Sequence, residues 1–220
     1  MRGMVIGTGP SLGPVLHSIP RFDGRLFICN NCWSEPWVLE HYERHGIPAV
    51  HLACDPAWHG LFGPLSLPDH IEGWHWDRDI CSASNLRFVE GIWHESKTGP
   101  MRLWLKDKTK ITLAHCSSAQ LLNLAANQYG CSEIVLVGHD FRYPKGQPRH
   151  YFSGLSETDG EYPQTIRKHS AFDKGPGQYD LIDVYEELAR TEGIPPVWNA
   201  TVGSALTAFP YRPLEDFLGP

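Results

Sequence analysis

The sequence lacks several features that would assign a protein class at once. It has no run of about 18 apolar residues, so no membrane-spanning helix is expected. It has no basic excess: 19 Lys and Arg face 25 Asp and Glu, so no nucleic-acid-binding surface is expected. It has no internal repeat and no low-complexity tract. With 220 residues, 41% of them hydrophobic, the chain has the size and composition of a single domain, 1–220, with its own core.

The cysteines do not form a recognisable metal or disulfide framework. No apolar leader precedes the first strand-like segment, which predicts the absence of a signal peptide and a cytoplasmic location, where thiols stay reduced. Cys29 and Cys32 have C-x-x-C spacing, which is also found in redox pairs and in half of a zinc site. Because the second C-x-x-C of a zinc site is missing, the sequence favours buried thiols and no metal site.

Short apolar segments alternate with amphipathic ones over most of the chain. Strands are predicted at 1–6, 26–29, 49–53, 133–137 and 197–199, and helices at 11–19, 35–45, 117–129 and 179–192. Strands that alternate with helices are typical of a parallel sheet with crossover connections. The predicted fold is therefore an open, mostly parallel, Rossmann-like α/β sheet with helices on both faces.

The middle of the chain breaks this pattern. Residues 58–111 are rich in Trp, His, Gly and Pro, with short strands predicted at 84–89, 91–95 and 102–105. We interpret this region as an insertion or lid over the carboxyl edge of the sheet. Its aromatic residues either form a small core of their own or line a substrate.

A glycine-rich turn follows the first strand and precedes a helix. Its residues are Gly7, Thr8, Gly9, Pro10 and Ser11. Glycines let a backbone approach a ligand closely, and a helix N-terminus attracts phosphate. The turn is neither a G-x-G-x-x-G fingerprint nor a Walker loop. We predict that it binds the phosphate of a nucleotide, and the alternative is a tight turn without a ligand.

Polar residues follow three other strands. Asn30 and Asn31 follow the second strand, Asp55 follows the third, and His139 and Asp140 follow the strand at 133–137. Ligands of open α/β sheets bind at the carboxyl ends of strands, so these residues are predicted to converge on one cleft. The alternatives are Asx-turns and caps, and neighbouring His139 and Asp140 are expected to point to opposite faces.

A long polar loop follows Phe141. It carries cations and phenols at Arg142, Tyr143, Arg149, His150, Tyr151, Arg167, Lys168 and His169. Such groups near a phosphate site would stabilise a leaving phosphate, and the alternative is a solvated loop.

Five motifs occur in an order that resembles a known superfamily. They are G-x-G-P-S-L at the start, C-N at 29–30, S-x(4)-N-L-A-A from Ser118, E-I-V-L-V-G-H-D-F at 133–141 and N-A-T-x-G-S-A-L at 199–206. The chain resembles the bacterial sialyltransferases of glycosyltransferase family 42. It is also similar to the domain that motility accessory factors share with the archaeal 6-hydroxymethylpterin pyrophosphokinase. The resemblance covers residues 1–57 and about 112–218.

The sialyltransferase resemblance implies inverting transfer from a nucleotide-linked sugar without a metal. The residues that it assigns to the nucleotide are Gly7, Thr8, Gly9, Pro10, Ser11, Asn30, Asp55 and Ser118. Tyr151 matches one of two tyrosines that help the phosphate leave, Arg142 stands at the other with Tyr143 beside it, and His169 is the nearest match to the general base. The sialyltransferases have Asn at the positions of Thr8 and Asp55 and Tyr at that of Arg142, which argues against a strict sialyltransferase.

Three functions therefore remain open. The first is a nucleotide-sugar-dependent glycosyltransferase that needs no cofactor. The second is a pyrophosphokinase in which Asp55 and Asp140 would hold Mg²⁺. The third is a nucleotide-binding or interaction module without catalysis. The sequence predicts a nucleotide-linked small molecule as ligand and leaves the acceptor and the oligomeric state open.

Overall fold

An open sheet of parallel strands lies at the centre of the protein. The computed structural model describes residues 1–53, 66–93, 107–113, 116–141 and 181–219. In chain order its strands are β1 (Arg2–Ile6), β2 (Arg25–Cys29), β3 (Ala49–Leu52), β4 (Ile71–His75), β5 (Arg87–Phe88), β6 (Glu90–Trp93), β7 (Lys110–Leu113), β8 (Glu133–Val137) and β9 (Val197–Asn199). Within these described residues, β6 and β7 pair with each other, and the other seven strands form one parallel sheet. The predicted Rossmann-like α/β sheet is confirmed.

The order of the strands creates a switch point in the sheet. Neighbouring strands run β5-β4-β3-β2-β1-β8-β9, so the chain builds outward from β1 in one direction and then continues on the other side of β1. Ile6 of β1 is in register with Ile28 of β2 and Val137 of β8, so the three strands end at nearly the same level. The turns that follow them therefore meet at one edge, where open α/β sheets bind their ligands.

Helices cover both faces of the sheet. They are α1 (Pro36–His45), α2 (Arg78–Ser82), α3 (Ser117–Asn127) and α4 (Leu181–Ala189), with 3-10 helices at Pro10–Arg21, Asn30–Ser34 and Leu214–Phe217. Alternate side chains of β1 enter different cores, Met4 and Ile6 on the face of the first 3-10 helix and α1, and Val5 on the face of α3 and α4. This two-sided burial explains why the strands are almost continuously apolar.

The first helix differs from the prediction in type. Residues Pro10–Arg21 form a 3-10 helix rather than an α-helix, because Pro14 and Pro20 within it have no N–H to donate. α1 ends as predicted at Gly46, whose positive φ of 65° lets its N–H bond the carbonyl of Tyr42 at 2.7 Å.

The tryptophan-rich region is in part an extension of the sheet. β4 pairs with β3 and β5 pairs with β4, so these residues belong to the main domain and are not a lid. In β4 the inward positions are Ile71, Gly73 and His75, and this mixture hides the usual apolar alternation of a strand. Residues 54–65 and 94–106 lie outside the described residues, as does the strand predicted at 102–105.

Among the helices in the described ranges, none is both long enough and apolar enough to cross a membrane.

Candidate functional site

The candidate site lies at the carboxyl edge of the sheet, around the turn that follows β1. The turns after β2 and β8 flank it on its two sides, because β1 lies between these strands. The predicted convergence of distant segments on one edge is therefore present for the described turns. The side chains there fall into two groups, one on the β8 side and one on the β2 side.

The glycines of the first turn allow a close approach to the turn after β8. The N–H of Gly7 donates to the carbonyl of Val137 at 2.8 Å, and that of Gly9 donates to the carbonyl of Gly138 at 2.9 Å. A Cβ atom on Gly7 or Gly9 would lie 2.6 or 2.7 Å from the oxygen of Gly138. Glycine is thus required here by the protein's own backbone, which differs from the expected reason of approach to a ligand.

Asp140 bonds to the turn from the β8 side. Its carboxylate accepts from the hydroxyl of Ser11 at 2.8 Å and from the N–H of Ser11 at 3.3 and 3.4 Å. Partial burial raises the pKa of Asp140, and the bonds from Ser11 oppose that shift. The sequence assigns Ser11 to a phosphate, but in this structure its N–H and hydroxyl donate to the carboxylate of Asp140. Thr8 and Pro10 lie half-buried in the same turn.

Asn30 begins the turn on the β2 side in an unusual conformation. Its φ is 48°, and Phe141, after β8, has a φ of 49°; among the described residues these are the two non-glycine residues with positive φ. The carbonyl of Asn30 lies 2.8 Å from the Nε2 atom of His51. Asn31 is half-buried, and its carbonyl accepts from the hydroxyl of Ser34 at 3.0 Å. Strained backbone of this kind is concentrated at functional sites.

The first turn of α3 faces this group with Ser117. The hydroxyl of Ser117 lies 3.4 Å from the Oδ1 atom of Asn30. Ser118, the residue selected from the sequence, turns instead into the core, where its Oγ atom lies 2.7 Å from the hydroxyl of Tyr185 and 3.3 Å from the Sγ atom of Cys116. The sequence predicted the correct start of this helix. Successive residues of a helix point in different directions, so Ser117 contacts Asn30 and Ser118 contacts the core.

His139 is a core residue, as expected for the neighbour of Asp140. It is 2% exposed, its Nδ1 atom lies 3.0 Å from the carbonyl of Val137, and its ring stands edge-on to that of Tyr185. Burial lowers the pKa of His139 to about 4, so the ring is neutral at pH 7. The N–H in this tautomer lies on Nδ1, and in the described part of the chain Nε2 has no hydrogen-bond partner.

The C-x-x-C pair consists of two buried free thiols. A hydrogen bond with Cys32, together with burial, raises the pKa of the Cys29 thiol, which disfavours the reactive thiolate. Within the described ranges no group of three or more His, Cys, Asp or Glu side chains is arranged to hold a metal.

The remaining predicted site residues lie outside the described residues. They are Asp55, Arg142, Tyr143, Tyr151 and His169. Their roles stay predictions from the sequence.

Comparison of the chain with known proteins adds no family. No family model, no curated protein and no solved structure matches it.

Proposed function

We propose that the protein binds a nucleotide-linked sugar at the carboxyl edge of β1, β2 and β8 and transfers the sugar to an acceptor. One observation carries the proposal: the two non-glycine residues with positive φ, Asn30 and Phe141, flank the glycine turn after β1. This conformation costs a residue such as Phe141 about 1–2 kcal/mol and costs Asn less, and strain of this kind is kept where a site requires it. The resemblance to the sialyltransferases supplies the reaction type.

The contacts support binding of the nucleotide on the β2 side of the glycine turn. On the β8 side, the carboxylate of Asp140 already accepts from Ser11 and would repel a second anion. On the β2 side, α3 begins with no acidic residue in its first turn and no side-chain cap. The partial positive charge of a helix N-terminus attracts phosphate.

Asn30 and Ser117 supply the polar groups for recognition on that side. Asn30 carries both an amide donor and an acceptor, which suit a base edge or a ribose hydroxyl. Ser117 lies beside it and is held at the start of an entirely buried helix, so little order has to be gained on binding.

The transfer step follows from the resemblance. The bond between the anomeric carbon and the phosphate oxygen breaks, and the electron pair leaves with the phosphate. The acceptor hydroxyl attacks the anomeric carbon from the opposite face, and its proton passes to a base, for which His169 is the predicted residue. Tyr151, Tyr143 and Arg142 would offset the charge that grows on the phosphate, an effect typically worth about 10²–10³ in rate per donor.

The half-buried carboxylate of Asp140 favours a second function, the Mg²⁺-dependent pyrophosphokinase. Carboxylate and hydroxyl oxygens are ligands that Mg²⁺ accepts together with substrate phosphates. Asp140 and Ser11 present both kinds of oxygen at the glycine turn. In that case ATP would bind on the β8 side, bridged to Asp140 by the metal.

Thermal shift with CMP, CDP, UDP, GDP and ATP, each with and without Mg²⁺, distinguishes these functions. A ligand at 100 times its Kd stabilises the native state by about 2.7 kcal/mol. Stabilisation by a pyrimidine nucleotide without metal supports the glycosyltransferase, and stabilisation by ATP with Mg²⁺ supports the kinase. If none of these nucleotides stabilises the protein, both enzymatic functions are contradicted, and the non-catalytic module is the function that remains.

Asn30 provides a matched pair of variants for the same assay. Asn30→Gly keeps the positive φ and removes the amide, so the response to CMP should fall while the unliganded melting temperature does not. Asn30→Asp keeps the shape and adds a charge that repels phosphate, so the response should fall further. An unchanged response in both variants would remove Asn30 from the site.

A further inference from the structure

The segment 199–206 carries the N-A-T-x-G-S-A-L motif, which the proposed reaction does not use. It begins at Asn199, the last residue of the edge strand β9 beside β8, and reaches back to the turn after β8. Two of its three polar side chains are buried, since Asn199 and Thr201 are each 3% exposed, and Ser204 is half-buried. Buried polar side chains are normally bonded, so their partners show what the motif holds.

The partners are the backbone groups of His139 and Asp140. The N–H of His139 donates to the Oγ1 atom of Thr201 at 3.0 Å. The hydroxyl of Ser204 donates to the carbonyl of His139, and the N–H of Ala205 donates to the carbonyl of Asp140 at 2.8 Å. The segment thus binds three backbone polar groups of the turn after β8, two on His139 and one on Asp140.

The segment is itself fixed by internal bonds. The Oδ1 atom of Asn199 accepts from the N–H of Thr201 and its Nδ2 atom donates to the carbonyl of Leu206, both at 3.0 Å. The N–H of Leu206 donates to the Oγ atom of Ser204 at 3.0 Å, and Gly203 turns the chain with a φ of 72°. The motif residues therefore form a preorganised loop.

This loop contacts a stretch of backbone that has an unusual conformation at both ends. Gly138 and Phe141, at the two ends of the turn after β8, both have positive φ, which costs energy for Phe141. Between them, the carboxylate of Asp140 has to point toward Ser11, which is 129 residues away in sequence, to accept its hydrogen bonds. Fixing the peptide groups on both sides of His139 sets that direction.

We propose that Thr201 and Ser204 are positioning residues that hold Asp140 against Ser11 and thereby fix the glycine turn. For ligand affinity this inference rests on the proposed function, since the turn is part of the proposed nucleotide site. For the position of Asp140 it stands independently of any ligand.

Three variants separate positioning from simple stabilisation. Thr201→Val keeps the shape of the side chain and cannot accept a hydrogen bond, whereas Thr201→Ser keeps the hydroxyl and should behave like the unchanged protein. Val202→Ala is the control, because Val202 lies in the same loop and is 75% exposed.

The first readout is the titration of the Asp140 carboxyl carbon by NMR, which needs no ligand. In the unchanged protein, Thr201→Ser and Val202→Ala, the pKa of Asp140 should lie above its ordinary value, because the carboxyl is half-buried. In Thr201→Val the pKa should fall toward that value, because release removes both the burial that raises it and the bonds from Ser11 that lower it, and burial is the larger effect. A folded Thr201→Val protein with a lower melting temperature but an unshifted Asp140 titration would overturn the proposal.

The second readout is the affinity for CMP. Loss of the positioning bond should weaken CMP binding in Thr201→Val about 5-fold, the equivalent of one hydrogen bond of about 1 kcal/mol, with recovery in Thr201→Ser. Equal affinity in Thr201→Val and the unchanged protein would contradict a role of the loop in the site. If the unchanged protein binds no nucleotide, the proposed function fails, and the Asp140 titration alone decides the positioning role.

Discussion

Replacing Gly9 with alanine tests the packing on which the candidate site depends. The backbone of Gly9 has a φ of −67° and a ψ of 159°, a conformation that alanine adopts without strain. In the folded state the added methyl group is therefore the whole perturbation. It would overlap the carboxylate of Asp140 and lie 2.7 Å from the oxygen of Gly138.

Two costs add up in Gly9→Ala. Asp140 has to leave Ser11, which loses charged hydrogen bonds worth about 1.5–3 kcal/mol each. The contact with the Gly138 carbonyl remains, and overpacking that shifts backbone costs about 1–3 kcal/mol. Together we expect a loss of at least about 3 kcal/mol, a large part of the 5–15 kcal/mol typical of a domain.

Gly13→Ala is the matched control. Gly13 lies in the 3-10 helix that follows the same turn, and a Cβ atom there meets nothing within 4 Å. Since alanine restricts the unfolded chain, this variant should be neutral or more stable by about 0.4–1 kcal/mol. Urea denaturation followed by circular dichroism measures both variants. Equal stability of Gly9→Ala and Gly13→Ala would refute the close packing of the turns after β1 and β8.

Three further outcomes follow from the core and the strained turn. Burial lowers the pKa of His41 and His139 from 6.5 to about 4, so the unfolded chain binds more protons between these pH values. The free energy of unfolding should therefore be highest above pH 6.5 and fall by up to about 3 kcal/mol per histidine toward pH 4. Urea denaturation at several pH values measures this, and His41→Gln should lose part of the pH dependence. A His41→Gln protein that keeps all of it would contradict the prediction. Tyr185→Phe removes a buried hydroxyl that bonds to α3 at 2.7 Å and should cost about 1–2 kcal/mol, whereas Tyr211→Phe, at a side chain 56% exposed, should cost nothing measurable in the same urea assay. Asn30→Ala should be less stable than Asn30→Gly by about 1 kcal/mol in thermal unfolding because of the φ of 48°, and equal stability would argue against strain at this position.

The sequence predicts the central strands well because their burial is two-sided. β1 and β8 are apolar at almost every position, so they stand out without any knowledge of their neighbours. β4 did not stand out, because Gly73 occupies an inward position where the side chains of Leu67 and Leu86 fill the space that a Cβ atom would take. That compensation comes from distant residues, and a local pattern cannot contain it.

The sequence predicted the position of the site better than it predicted which residues contact each other there. Strand ends of a parallel sheet share an edge, which brought the segments of Gly9, Asn30 and Asp140 together in the prediction. The bond between Asp140 and Ser11 depends on the pairing of β1 with β8, which the order of strands in the chain does not specify. The structure places Ser117, and not the predicted Ser118, beside Asn30, and Ser118 bonds instead to Tyr185, a contact between distant residues that the local sequence does not contain.

Hydrogen–deuterium exchange with and without CMP tests most directly where a nucleotide binds. We expect CMP to slow exchange in peptides that cover the turn after β1, the turn at Asn30 and the first turn of α3. The amino ends of β1 and β2, near Arg2 and Arg25, should exchange at unchanged rates. Protection confined to those amino ends, or no protection at saturating CMP, would contradict a nucleotide site at the carboxyl edge of the sheet.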